Sequence, residues 1–172
     1  MRTAIETAST AIWLLAPNKS DKRIIQALRL IWWSHQDASQ LALAFGMEHT
    51  AVTERLFSRL TELRDLRPAN RQRKLDLAPI TTTDMLIAAD KSQNCDVTTM
   101  TLLTTWRLCS GMAHGNKATS LMLLERRLVA GLPKHTYFMT SSWGLTTVAL
   151  TVAVHALKTA VEGFERHAKR LS

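Results

Sequence analysis

Residues 20–45, SDKRIIQALRLIWWSHQDASQLALAF, decide the fold class. Ile24, Leu28, Ile31, Trp32 and Leu41 recur with a period near 3.6, and Lys22, Arg23 and Arg29 take the opposite side. That pattern specifies a helix with one apolar stripe. Ser20 and Asp21 stand where a cap belongs, and Gly46 follows Phe45, so the spacing predicts a helix from about 20 to 45. Upstream, Thr3 and Glu6 have capping-box spacing and Pro17 is a helix stop, which together predict a helix over 3–16. Downstream, Val52, Leu56, Leu60 and Leu63 form the stripe of a third helix that starts at Thr50 and ends before Pro68.

The remainder is also mostly helical. Residues 67–80, RPANRQRKLDLAPI, carry two prolines and a run of basic side chains, and read as a basic linker. Thr83 and Asp84 open a short helix to about Ala89, and Asp96 caps a longer one from Val97 to about His114, closed by Gly115 and Asn116. LMLLERRLV, the break at Gly131-Leu132-Pro133 and HTYFMT suggest a small β-hairpin at about 120–141. Ser142 caps a last helix to about Leu171. The expectation is an all-α helical bundle with a small hairpin, forming one domain over residues 1–172.

Composition narrows the function classes. Twenty-two Lys and Arg against 14 Asp and Glu give a net charge of +8, a field that favours polyanions or simply keeps the surface solvated. Cys95 and Cys109 form neither a disulfide framework nor a zinc pattern, so no metal and no cofactor is expected. The apolar run from Leu145 to Leu157 is interrupted by Thr146, Thr147, Thr151 and His155 and falls short of the ~20 residues of a membrane span. The N-terminal stretch is broken by Glu6 and several Thr, unlike a signal peptide. These features lead to a cytoplasmic expectation, with no membrane partner.

One constellation invites chemistry. In Trp106-Arg107-Leu108-Cys109-Ser110-Gly111-Met112-Ala113-His114-Gly115-Asn116, Arg107 and His114 are seven positions apart, almost two helical turns, and so share a face. Their Cα atoms would lie ~10 Å apart along the axis. A guanidinium can hold a phosphate by two hydrogen bonds, and an imidazole can move a proton near neutral pH. With RNA as substrate the 2′-hydroxyl itself is the nucleophile, so the pair suits phosphodiester cleavage without a metal. Ser110 and Gly111 leave that face small, and Asn116 and Lys117 stand where a phosphate contact is open to them. One pair supplies too few groups for acid, base and clamp, so this reading requires a two-fold dimer. The same residues fit a plainer reading, in which Arg107 pairs with an acid and His114 ends its helix.

Arg, six residues, then His at the end of an internal helix resembles the signature of the HEPN superfamily. Arg-Leu-Cys-Ser-Gly-Met-Ala-His-Gly is similar to a bacterial branch of HEPN-like proteins, and Ala11–Pro17 and Ala27–Leu30 match phrases of its preceding helices. The resemblance implies a dimerising helical bundle with Arg107 and His114 lining a cleft. It also implies a metal-independent endoribonuclease of a toxin–antitoxin or phage-defence system, with an antitoxin or nucleotidyltransferase as partner. Non-catalytic members serve as helical interaction modules. This chain departs at Leu108, where nucleases of that superfamily often carry a polar residue, and the resemblance leads one to expect further helix upstream.

Three other features compete. Residues 39–57 fit a helix-turn-helix template, with Ala42, Gly46 and Val52 as small residue, turn and buried aliphatic, and Thr50, Thr53 and Arg55 facing a DNA groove. Arg71, Arg73 and Lys74, in the basic run that starts at Arg64, would guide RNA by its backbone or simply be solvated. In the Trp32–Asp37 stretch, Trp32 reads as core and Trp33 as an interfacial side chain, while His35 and Asp37 diverge around the helix. His155 reads as a core histidine.

Overall fold

The computed structural model describes residues 1–71, 75, 77–92, 100–131 and 136–169. Among them run α1 (Arg2–Leu15), α2 (Ser20–Ala44), α3 (Thr50–Asp65), a 3-10 turn (Pro68–Asn70), α4 (Thr82–Ser92), α5 (Leu102–Ala113) and α6 (Lys117–Leu123). The strands β1 (Leu124–Leu128) and β2 (Tyr137–Ser141) and the long helix α7 (Trp143–Ala168) complete the fold. It is a mostly-α bundle with one small antiparallel hairpin, as the periodicity predicts.

Helix α1 lies at the centre. Its Ile5, Ala8 and Ile12, one turn apart, pack with Leu86 and Ala89 of α4, Leu102 of α5, and Val152, Ala153, Ala156 and Ala160 of α7. The alanines of α7 let its backbone approach α1 closely, so the main core is built from small residues interlocked with a few large ones. At the far end the His167 imidazole donates from Nε2 to the Leu15 carbonyl (2.9 Å), tying the two helices together. α7 is also the one helix among the described residues that is long and apolar enough to cross a membrane.

A second cluster stands apart. Leu28 of α2, Leu60 of α3 and Leu75 are buried, with Ile24, Trp32, Leu56, Leu63 and Leu77 around them. The described residues of the 67–80 stretch, linker-like in its prolines, are in fact strapped to this helical hairpin. Arg29 donates to the carbonyls of Ala78 (2.8 Å) and Pro79 (2.9 Å), Trp33 donates to Ala78 (2.9 Å), and the fully buried Asn70 amide donates to the Asp21 carbonyl (3.2 Å). Trp33 is therefore an anchor inside the chain. Of the predicted stripe on α2, Leu28 is buried and Ile24 and Trp32 pack against it, but Ile31 and Leu41 are exposed. Beyond Trp32 the two helices meet through polar groups, His35 Nε2 lying 2.9 Å from Thr53 Oγ1 and 3.2 Å from Ser39 Oγ.

These contacts overturn the helix-turn-helix template. Gly46 does turn the chain, at φ 71°, but Val52 is 56% exposed where the template requires a buried aliphatic. Thr53 is engaged by His35 and by the His49 carbonyl, and the first helix is one unbroken run of 25 residues.

Several caps differ from expectation. Thr3 and Glu6 form no capping box, because α1 begins at Arg2 and the Glu6 carboxylate is used elsewhere. Lys19, with no side-chain cap bond, precedes α2 in place of a Ser20 or Asp21 cap. The reciprocal box lies instead at Thr81 and Asp84: the Asp84 carboxylate accepts from the Thr81 N–H (3.0 Å) while the Thr81 hydroxyl accepts from the Asp84 N–H (3.1 Å). The Thr81 N–H and the Thr81 hydroxyl, which also donates to Asp84 Oδ2 (2.8 Å), hold the Asp84 carboxyl below its ordinary range. α5 begins at Leu102 with Thr101 as its cap; Asp96 and Val97, the expected cap and start, lie outside the described residues. The hairpin pairs Leu124 with Ser141 and Leu128 with Tyr137, but residues 117–123 ahead of it are helical, capped by Asn116.

Leu86→Ala removes a fully buried side chain at the centre of the main cluster and is expected to lower stability by about 2–5 kcal/mol. Val52→Ala is expected to change it by less than about 0.5 kcal/mol, as for a surface position. Urea unfolding of both variants checks this, and a large loss at Val52 would restore the template.

Candidate functional site

Helix α5 presents the Arg107–His114 pair, and three devices fix its orientation. The Thr101 hydroxyl accepts from the Thr104 N–H (3.1 Å), and the Asp90 carboxylate of α4 accepts from the N–H groups of Leu102 (2.8 Å) and Leu103 (3.2 Å). These occupy orphan donors of the first turn and place an anion at the positive end of the helix. Leu102 and Thr105 are buried, and the Trp106 indole points to α1, so Arg107 one step further turns outward. Arg107 is exposed, and among the described residues no acidic group pairs with it. It lines a groove of about 260 Å³ between α5 and α6 with Thr104, Leu108, Thr119 and Leu123.

His114 closes α5. The N–H of Gly115, at φ 62°, reaches the Met112 carbonyl (3.1 Å), and the N–H of Asn116 reaches Gly111 (2.8 Å). This is a Schellman ending, which needs glycine at the left-handed position. Asn116 is committed twice, since its side chain also accepts from the Thr119 N–H (3.2 Å) to start α6. Its backbone N–H and side-chain oxygen thus build the α5–α6 turn. At Gly111 the group that approaches the bare backbone is Thr119, not a ligand: a Cβ added at Gly111 would lie 2.6 Å from the threonine Oγ1 and 3.1 Å from its Cβ.

The exposed His114 ring lies against α1. Its Nε2 is 2.9 Å from an Arg2 terminal nitrogen. A guanidinium only donates, so Nε2 accepts and the neutral ring carries its proton on Nδ1. Arg2 is held in turn: its Nε donates to Glu6 Oε1 (3.0 Å), and its guanidinium carbon lies 5.6 Å from the centre of the Trp106 ring. Trp106 donates from its indole N–H to the same Glu6 oxygen (2.7 Å). The chain Glu6–Arg2–His114, braced by Trp106, thus orients the imidazole from a different helix. Arg2 has no signature in the sequence, and Glu6 suggests a capping box there and not this contact, although they are the two charged residues of an otherwise uncharged helix.

The other candidates scatter. Ser110 is half-buried on α5, and Lys117 is exposed in the first turn of α6. Arg71 belongs to the α2–α3 side, where its Nε donates to the Asp65 carbonyl (2.9 Å); Arg73 and Lys74 lie outside the described residues. Burial pushes the Cys109 thiol up, as befits a packing residue; Cys95 lies outside the described residues. Among the described residues no cluster of three His, Cys, Asp or Glu is placed to hold a metal ion. No family model, no curated protein and no solved structure matches the chain.

Gly111→Ala should lower stability by roughly 1–3 kcal/mol, the usual range for overpacking, and Thr119→Ala in the same chain should recover most of it. Thermal or urea unfolding of the single and double variants measures this. Equal stability of Gly111→Ala and the native chain would show that the α5–α6 approach is looser than described.

Proposed function

We propose that this chain is a HEPN-like RNA-binding protein that cleaves RNA without a metal. The observation that supports it is that α5 carries an exposed Arg107 guanidinium, without an acidic partner among the described residues, and ends at an exposed His114 imidazole oriented by Arg2. Arg107 and Arg2 offer two cationic forks to one phosphate. As a phosphate takes over Arg2, the Nε2 lone pair is released and accepts the 2′-hydroxyl proton. The 2′-oxygen then attacks phosphorus and the P–O5′ bond breaks, leaving a 2′,3′-cyclic phosphate. A second imidazole, from another copy of the chain, protonates O5′. The net charge of +8 favours the polyanion. Such an activity belongs in a cytoplasmic toxin–antitoxin or phage-defence setting, restrained by an antitoxin or nucleotidyltransferase partner.

A second reading is a non-catalytic helical interaction module, and the exposed apolar face of α7 favours it. DNA binding through residues 39–57 is not carried forward, because Val52 and Thr53 do not occupy the roles it needs.

Incubation with varied RNAs in EDTA tests catalysis. The native chain should yield cyclic-phosphate ends, and His114→Ala should slow cleavage by at least about 100-fold. Arg107→Ala should weaken binding and reduce the salt slope by about one. Equal cleavage by His114→Ala, or none by the native chain on any RNA, would count against the nuclease and leave the interaction module.

A further inference from the structure

The exposed face of α7, beside the buried alanines that meet α1, is apolar along nearly its whole length. Trp143, Leu150, Val154, Leu157, Val161 and Phe164 are 49–84% exposed, and Thr147 completes the series. Their spacing alternates four, three, four, three, four, three, which is the seam of a two-stranded helical coil and not the broader stripe of a helix lying on a core. The seam has a further property. Read from either end it runs aromatic, β-branched, Leu, Val, Leu, β-branched, aromatic. Trp143 mirrors Phe164, Thr147 mirrors Val161, Leu150 mirrors Leu157, and Val154 sits on the mirror point. A two-fold axis through an antiparallel helix pair places these residues opposite one another, which is the self-complementarity an isologous interface requires.

From this we infer that a second copy of this chain packs its α7 antiparallel on the first, with Val154 facing Val154 at the axis. The neighbouring surface fits the same arrangement. An apolar groove of about 480 Å³ between α1 and α7, lined by Met1, Ala4, Thr7, Leu150, Val154 and Leu157 among others, gives the second helix a flank to lie against. The two aromatics of each chain can each bury roughly 150–250 Å². With four aliphatics and the α1 flank, the face reaches the order of the ~800 Å² per partner found in stable interfaces. A lipid surface suits it less well. Membrane-surface helices carry a basic polar face, whereas the polar side of α7 is balanced, Glu162 and Glu165 against Lys158 and Arg166, with Lys158 already 3.8 Å from Glu162. Met1 lines the groove and Arg2 holds His114, so the interface borders the candidate site. The inference supplies the second copy that the nuclease reading requires, but it rests on the packing of α7 alone.

Cross-linking decides it. In a chain with Cys95 and Cys109 replaced by Ser, Val154→Cys should oxidise to a disulfide-linked dimer by itself. Leu150→Cys and Leu157→Cys should cross-link when mixed and neither should do so alone. Val154→Glu should raise the dimer Kd by at least about 100-fold with the circular dichroism of the helices unchanged. A native chain that sediments as a 19.3 kDa monomer at micromolar concentration would overturn the inference. So would cross-linking of Leu150→Cys alone, which marks a parallel pair, or flotation of the native chain with anionic vesicles in place of dimerisation. An intact dimer that cleaves no RNA would instead remove the nuclease and leave the interface standing.

Discussion

The Glu6 carboxylate is the constraint on which the candidate site depends. It is an acid on the central helix, partly withdrawn from water, and such a group must be hydrogen-bonded to be tolerated. One of its oxygens accepts from both Arg2 and Trp106, so a single acceptor joins the start of α1 to the middle of α5. Arg2 then reaches His114 at the end of α5. The core supplies the rigidity behind this chain. Ile5 and Ile12 fix α1 against α4, α5 and α7, and Asp90 holds the first turn of α5. A side chain on an exposed helix terminus is thereby oriented by groups a hundred residues away in sequence.

Much of the fold is legible in local pattern. Six of the helices and the hairpin emerge from apolar periodicity and from Pro and Gly punctuation, because those signals reside within one element. The short α6 carries too few turns to show a period of its own. Caps are less legible. Thr3-x-x-Glu6 has the spacing of a capping box, and only tertiary structure reveals that Glu6 is claimed by Trp106. The exposed parts of α2 and α3 escape local reading for a related reason. Periodicity marks an apolar face but not whether a neighbour covers it, and Leu41 and Val52 remain open while Leu28 and Leu60 are buried. The 67–80 stretch looks like a linker from its prolines, yet its carbonyls serve Arg29 and Trp33, donors that local sequence cannot pair with it.

The site is half legible. Seven-residue spacing predicts a shared face for Arg107 and His114 from helix geometry alone; in the fold Arg107 lines the α5–α6 groove, while His114, the residue that ends α5, lies against Arg2 of α1. Arg2 enters from another element and has no local signature. Gly111 illustrates how a correct chemical cue can carry a different meaning: its missing side chain does permit a close approach, but the approaching group is Thr119 of the next helix. Asn116 likewise gives its backbone N–H and side-chain oxygen to the turn. What is left exposed is the Arg107 guanidinium and the His114 imidazole, the latter held by Arg2.

The most direct measurement of this arrangement is the tautomer of the neutral His114 ring, read from its two ¹⁵N shifts in the native chain and in Glu6→Gln. The account predicts a proton on Nδ1 with Nε2 as acceptor in the native chain, and a shift toward mixed tautomers once Arg2 loses its anchor. A ring protonated on Nε2 in the native chain, unaltered by Glu6→Gln, would contradict it.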